Sequence, residues 1–245
     1  MTRDFTDSSG PAATASGGSR VATRTKFYFG VGAGGEAASN WIFHALGMIF
    51  YQQVLGLPAG LAGLAFFLAI LADAITDPLI GAISDRFRSK WGRRHPFLFI
   101  APIPLALFVF LIFHPPAYVV ESHTLLFIWL TVFTVLQRAC QTFYVVPHLA
   151  MGAELSADYL ERTRIMAFNN LFTLYGGTII HVIAWFLVFG FIFADQGGQL
   201  YRPAHTWTAL TVCIIIIVSI FACAFGTKDQ IPLLKQNQMN EDRKI

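Results

Sequence analysis

Charge is what this sequence has least of. Only 13% of its 245 residues are Asp, Glu, Lys or Arg, where a soluble domain carries about 25%. With 55% hydrophobic residues and a mean hydropathy of +0.57, there is too little polar surface to coat a globule. That excludes a soluble domain and indicates a polytopic membrane protein. Cysteine is scarce as well. Cys140, Cys213 and Cys223 fall in apolar segments, with no paired spacing and no histidine at ligand distance. No disulfide framework and no metal site is expected, and the three read as small packing residues. The first 25 residues hold no apolar run, so they are not a cleaved signal peptide, and a disordered cytoplasmic tail is expected over 1–25. No Walker-type phosphate loop occurs, so ATP is not expected as the direct energy source. The run Gly30-Val31-Gly32-Ala33-Gly34-Gly35 lacks the preceding strand that a dinucleotide fingerprint needs. In a membrane helix, small residues of this kind let neighbouring helices approach closely.

Long apolar runs take the place of charge. A span needs about 20 apolar residues, or about 30 Å at 1.5 Å per residue. Six segments qualify: Lys26 to Val54, Pro58 to Ser84, Pro96 to Phe113, Thr124 to Ala150, Thr163 to Phe193 and His205 to Phe225. Pro58 and Pro96 suit first helical turns, where the missing N–H costs little. Pro78, Pro102, Pro104 and Pro147 lie inside spans and predict kinks. The expected fold is an all-α membrane protein, with a six-helix transmembrane domain over 26–226 and a cytoplasmic tail over 227–245. Of the 17 Lys and Arg, 15 fall at one end of this layout, in the two tails and in the second and fourth interhelical loops. Both termini are therefore expected in the cytoplasm, with the chain multi-pass in the plasma (inner) membrane.

Ionisable residues inside a span are costly, and by default they suggest a function. Glu36 in helix 1, Asp73 and Asp77 in helix 2 and Arg138 in helix 4 are of this kind. At 1.5 Å per residue, Glu36, Asp73 and Arg138 each lie about 15–17 Å from the basic end, close to one level. Asp73 and Asp77 share a helix face, being four residues apart. Two acids so placed need a cation, a shared proton or an arginine, which points to a site for Na⁺ or H⁺. A static Asp–Arg pair that fixes helix packing is the bland alternative. Asn40, Trp41, Gln137, Gln141, Tyr144, Asn169 and Asn170 gather at similar levels. Flat rings among hydrogen-bonding groups suit a sugar, although interhelical hydrogen bonds would use the same residues. His44 and His181 are expected in polar packing. An intramembrane enzyme is disfavoured, because no histidine stands one turn from the acid pair and no nucleophile beside a base. The basic loop after helix 2 could attract anionic lipid or nucleic acid. Its place beside a span favours topology and gating, and no nucleic-acid partner is expected.

The stretch DAITDPLIGAISDRFRSKWGRRHPF, from Asp73, resembles the signature of the glycoside–pentoside–hexuronide:cation symporters, the melibiose-permease-like branch of the major facilitator superfamily. VPHLAMGAELSADYLERTR, residues 146–164, resembles the family's passage from helix 4 into the following loop, and KFYFGVGAGG its start of helix 1. The resemblance covers about residues 26–235. It implies cation-coupled import of a sugar or glycoside by alternating access, with Asp73 and Asp77 on the coupling ion and Glu36 beside them. Asn40, Trp41, Arg138, Gln141 and Tyr144 are the candidate substrate contacts. Asp85, Arg86, Gly92, Arg93 and Arg94 match the family's cytoplasmic latch, with Glu154, Arg162 and Arg164 from the second matched segment counted to the gate. No cofactor is implied beyond the coupling ion. Two positions depart from melibiose permease: a sugar-contacting aspartate of helix 1 is Ala37 here, and one of helix 4 falls near Val145, while Arg138 has no counterpart. That argues against a galactoside. A non-sugar such as a lysolipid, or a truncated membrane protein that does not transport, are the alternatives. The family has twelve helices in two halves. A missing C-terminal six-helix half or a second copy is thus the expected partner, and the isolated monomer is not expected to transport.

Overall fold

The computed structural model describes residues 20–234. The expected tails therefore lie largely outside the described residues, at 1–19 and 235–245. The described chain is helical throughout, with no strand among the described residues. Five helices are long and apolar enough to cross a membrane: α2 (Ala59–Arg86), α3 (His95–Phe113), α4 (His123–Glu154), α5 (Tyr159–Ile192) and α6 (Arg202–Leu234). They follow a less apolar helical run, α1, over residues 23–54, so the expected six-helix layout is met approximately. Local chemistry sets the boundaries. α1 stops at Gly56, whose φ of +73° suits glycine, and Pro58 then opens α2. Ser122 and Asp158 accept hydrogen bonds from the first-turn amides of α4 and α5. α3 breaks at Ala101 before Pro102. α6 does not end where the apolar run ends: after a turn at Thr227 and a 3₁₀ step at Lys228–Gln230, helix resumes through residue 234, and Leu234 is buried.

Small residues decide the packing. α1 lies along α5 and α6, α2 along α4, and α3 between α4 and α6. A Cβ added to Gly176 of α5 would stand 2.8 Å from the Cα of Gly34, so the two backbones meet without a side chain between them. On α1, Gly32 faces the Tyr144 hydroxyl and the Cys223 side chain. The glycine run of α1 is thus a seam for close helix approach, as its composition implies. Cys213 and Cys223 are buried and all three cysteines are free. Without a water-driven force between spans, van der Waals contact and interhelical hydrogen bonds hold such a bundle. Tyr51 donates to the carbonyl of Ile112 at 2.7 Å, and Arg202 to that of Pro115 at 2.6 Å. Both fasten the end away from the basic loops. α2 and α5 stand at the margins, and large side chains such as Phe67, Ile75, Leu174 and Phe186 are exposed there.

Candidate functional site

Halfway along the bundle, α1, α2 and α4 enclose a recess lined by Glu36, Asn40, Asp77, Arg138, Gln141, Thr142, Val145 and Val146. The helical repeat builds it. Glu36 and Asn40 are one turn apart on α1, Asp73 and Asp77 one turn apart on α2, and Arg138 and Thr142 one turn apart on α4. Each helix therefore presents a two-residue polar step. Pro78 adds to the polarity of α2, because its missing N–H leaves the carbonyl of Ala74 without a helical donor.

Arg138 organises the charges. Its Nε and Nη2 both donate to Oδ2 of Asp73, at 2.8 and 2.5 Å, and its Nη1 donates to Oδ1 of Asn40 at 3.1 Å. Its guanidinium also lies 5.6 Å from the ring centroid of Phe43. Asp73 is 9% exposed, does not line the recess, and keeps its second oxygen, Oδ1, buried without a hydrogen-bond partner. Asp77 is exposed to the recess and accepts from the Thr142 hydroxyl at 2.8 Å. The two acids have therefore separated in role: one is covered by an arginine, the other is open. Behind the recess Gln137 donates to Ser39 Oγ and to Gln141 Oε1, both at 2.9 Å. This fixes Gln141 against α1.

Trp41 and Tyr144 are not brought to the recess. The Trp41 indole donates to His181 Nδ1 of α5 at 3.1 Å. Tyr144 is fully buried, stacked on His148 and facing Gly32 and Cys223. Tyr144 follows Gln141 by three residues, but the turn of α4 aims it at α6. The structure also adds residues that sequence reasoning had not assigned to the site. Thr142 could have been found by stepping four residues from Arg138, and Gln137, already noted at this depth, lies four residues before Gln141; Ser39, which Gln137 bonds, offers no such signal.

The latch candidates divide likewise. Arg94, 4% exposed, donates to Asp85 Oδ1 at 2.6 Å, to Glu154 Oε1 at 2.8 and 3.0 Å, and to Ser84 Oγ at 2.8 Å. Arg93 joins Glu154 Oε1 at 2.5 Å. Gly92, at φ +83°, turns the loop so that both arginines face the end of α4. Arg86 is exposed and outside this network, and Arg162 is exposed and donates to the Ala157 carbonyl. Arg164 belongs to a separate cluster, on the buried Glu161, which Lys26 of α1 also reaches.

A family model described as MFS/sugar transport protein matches residues 28–245. The chain belongs to this major facilitator sugar-transport family. It is 36% identical over 196 residues to an uncharacterized symporter of Synechocystis sp., covering 79% of this chain and 35% of that protein. An inner membrane symporter of Escherichia coli strain K12 is 26% identical over 215 residues, 86% of this chain and 44% of the relative. The isoprimeverose transporter of Lactiplantibacillus pentosus is 27% identical over 193 residues, 78% and 39% respectively. The chain thus spans well under half the length of these relatives. Family membership places it with multi-pass membrane transporters and not with enzymes, as the α2 signature implies.

Proposed function

We propose that this chain forms part of a cation-coupled secondary transporter for a sugar or glycoside, working by alternating access. The observation that carries the reading is the convergence of Glu36, Asp77 and Arg138, with Asp73 behind them, on one recess inside an otherwise apolar bundle. Charges in such a place are expensive unless they serve passage of an ion or substrate. In this reading Asp73 and Asp77 hold Na⁺ or H⁺ with Glu36 nearby. Asn40, Arg138 and Gln141 meet substrate hydroxyls, which suit amide and guanidinium donors. The names of relatives such as the isoprimeverose transporter support a saccharide. The Arg93, Arg94, Asp85 and Glu154 network latches the basic end, which faces the cytoplasm together with both termini. A second six-helix half, or a second copy, completes the cavity.

The test is uptake of a labelled pentoside or glycoside by the full-length protein in proteoliposomes under an imposed Na⁺ or H⁺ gradient. Accumulation is expected with one of the two gradients and is lost in Asp73→Asn and in Asp77→Asn. Gradient-driven uptake that survives both substitutions overturns the ion assignment.

A further inference from the structure

We infer that Arg138 is a tethered competitor for the coupling ion: its guanidinium occupies Asp73, and the ion binds by displacing it toward Asn40 and the Glu36 side of the recess. The inference rests on the proposed function and adds a selectivity and coupling role for one residue.

Four observations carry it. A static buried Arg–carboxylate pair gains most from two parallel bonds to two oxygens. Here two nitrogens crowd onto Oδ2 while Oδ1 stays buried and unpartnered. That leaves Asp73 half-satisfied, with acceptor capacity that a small cation can use. Arg138 lines the recess and Asp73 does not, so an ion entering from the recess meets the guanidinium before it reaches the aspartate. The guanidinium also has somewhere to go. Asn40 Oδ1 already accepts from Nη1, Phe43 lies under it, and Glu36 lines the same recess. Finally, Glu36, Asp73 and Asp77 face one arginine. Asp73 and Asp77 already outnumber the one guanidinium, and that excess of negative charge favours an added cation and disfavours loss of Arg138 from the region. Exchange at Asp73 then turns ion occupancy into a movement of Arg138 within the space assigned to substrate. Linkage makes the effect reciprocal: what draws Arg138 into the recess strengthens ion binding.

The experiment uses the full-length protein in lipid nanodiscs, with Na⁺ as the probe and choline as the control. At about pH 8.5, where protons compete least for carboxylates, Arg138→Gln is expected to bind Na⁺ at least about tenfold more tightly by calorimetry. Adding Asp73→Asn to that variant removes the gain. A second measurement needs no variant. Phenylglyoxal modification of Arg138 in the wild-type protein, read by peptide mass spectrometry relative to a free arginine peptide at the same pH, is expected to rise about threefold or more with Na⁺, or with a step to about pH 5.5 if the ion is H⁺. Wild-type Na⁺ binding with unchanged or weaker affinity in a monodisperse Arg138→Gln overturns the inference and leaves the proposed function standing. So does ion binding without a rise in labelling. Absence of any response to Na⁺ or acid, in binding and in labelling, overturns both readings.

Discussion

Two of the arginine–carboxylate clusters in this bundle are built differently. At the basic end, Arg94 spends its guanidinium on Asp85, Glu154 and Ser84, with Arg93 sharing Glu154. The loop that carries both arginines is held by the Gly92 turn. Midway along the helices, Arg138 doubles up on one oxygen of Asp73 and leaves the other bare, while Asp77 opens on a recess. The first cluster joins three segments of chain, the end of α2, the loop and the end of α4. The second adjoins a recess. A network that ties several segments together holds their arrangement, whereas a pair beside open space has room for a ligand or a second arrangement. The same residue types thus stand in a clasp in one region and beside a recess in the other.

That contrast can be broken at its stronger member first. Arg94→Ala removes charged hydrogen bonds to two carboxylates and is expected to cost about 2–3 kcal/mol, because Glu154 keeps Arg93 and the Asp85 side chain is largely exposed. Chemical denaturation in detergent, followed by helical circular dichroism, measures it; a loss within experimental error would mean that the clasp is ornamental. Thr142→Val tests the open member. It deletes the one hydroxyl bonded to Asp77 and is expected to cost only about 1 kcal/mol of stability, because the recess can offer water instead. Na⁺ or H⁺ coupling, read as the ion concentration for half-maximal uptake, should shift more than stability does. Arg162→Ala is the smallest. Arg162 is exposed and, among the described residues, bonded to the Ala157 carbonyl alone, so its loss should lie within about 0.5 kcal/mol in the same denaturation assay. An effect as large as that of Arg94 would place Arg162 in the clasp after all.

Much of the site was legible before any coordinates. Asp73, Asp77, Glu36 and Arg138 stand out because charge inside an apolar run is costly, and the helical rise puts them at similar depth. The partition among them was not legible. Four-residue spacing places Asp73 and Asp77 on one face of α2, but it does not say that Arg138 covers the first and Thr142 the second. Trp41 and Tyr144 show the opposite limit. They share depth with the recess residues, yet a helix turns 100° per residue. Trp41, one position after Asn40, reaches α5, and Tyr144, three after Gln141, reaches α6. Depth is read from counting along one chain segment; direction depends on which neighbour that segment has.

Composition and run length alone determined that this is a helical membrane protein with a basic end and a charged middle. Those features follow from the free energy of placing each residue in lipid or water, which needs no knowledge of neighbours. Only the tertiary structure decided which charges meet. α1 and α5 approach until Gly34 and Gly176 touch backbone to backbone, and α2 lies along α4. The rotation of each helix fixed by that packing brings Asp73 under Arg138 and leaves Asp77 facing the recess. Pairing energies fall off over a few ångströms, so ångström-scale helix placement, and not the list of charged residues, settles which acid is covered and which is open.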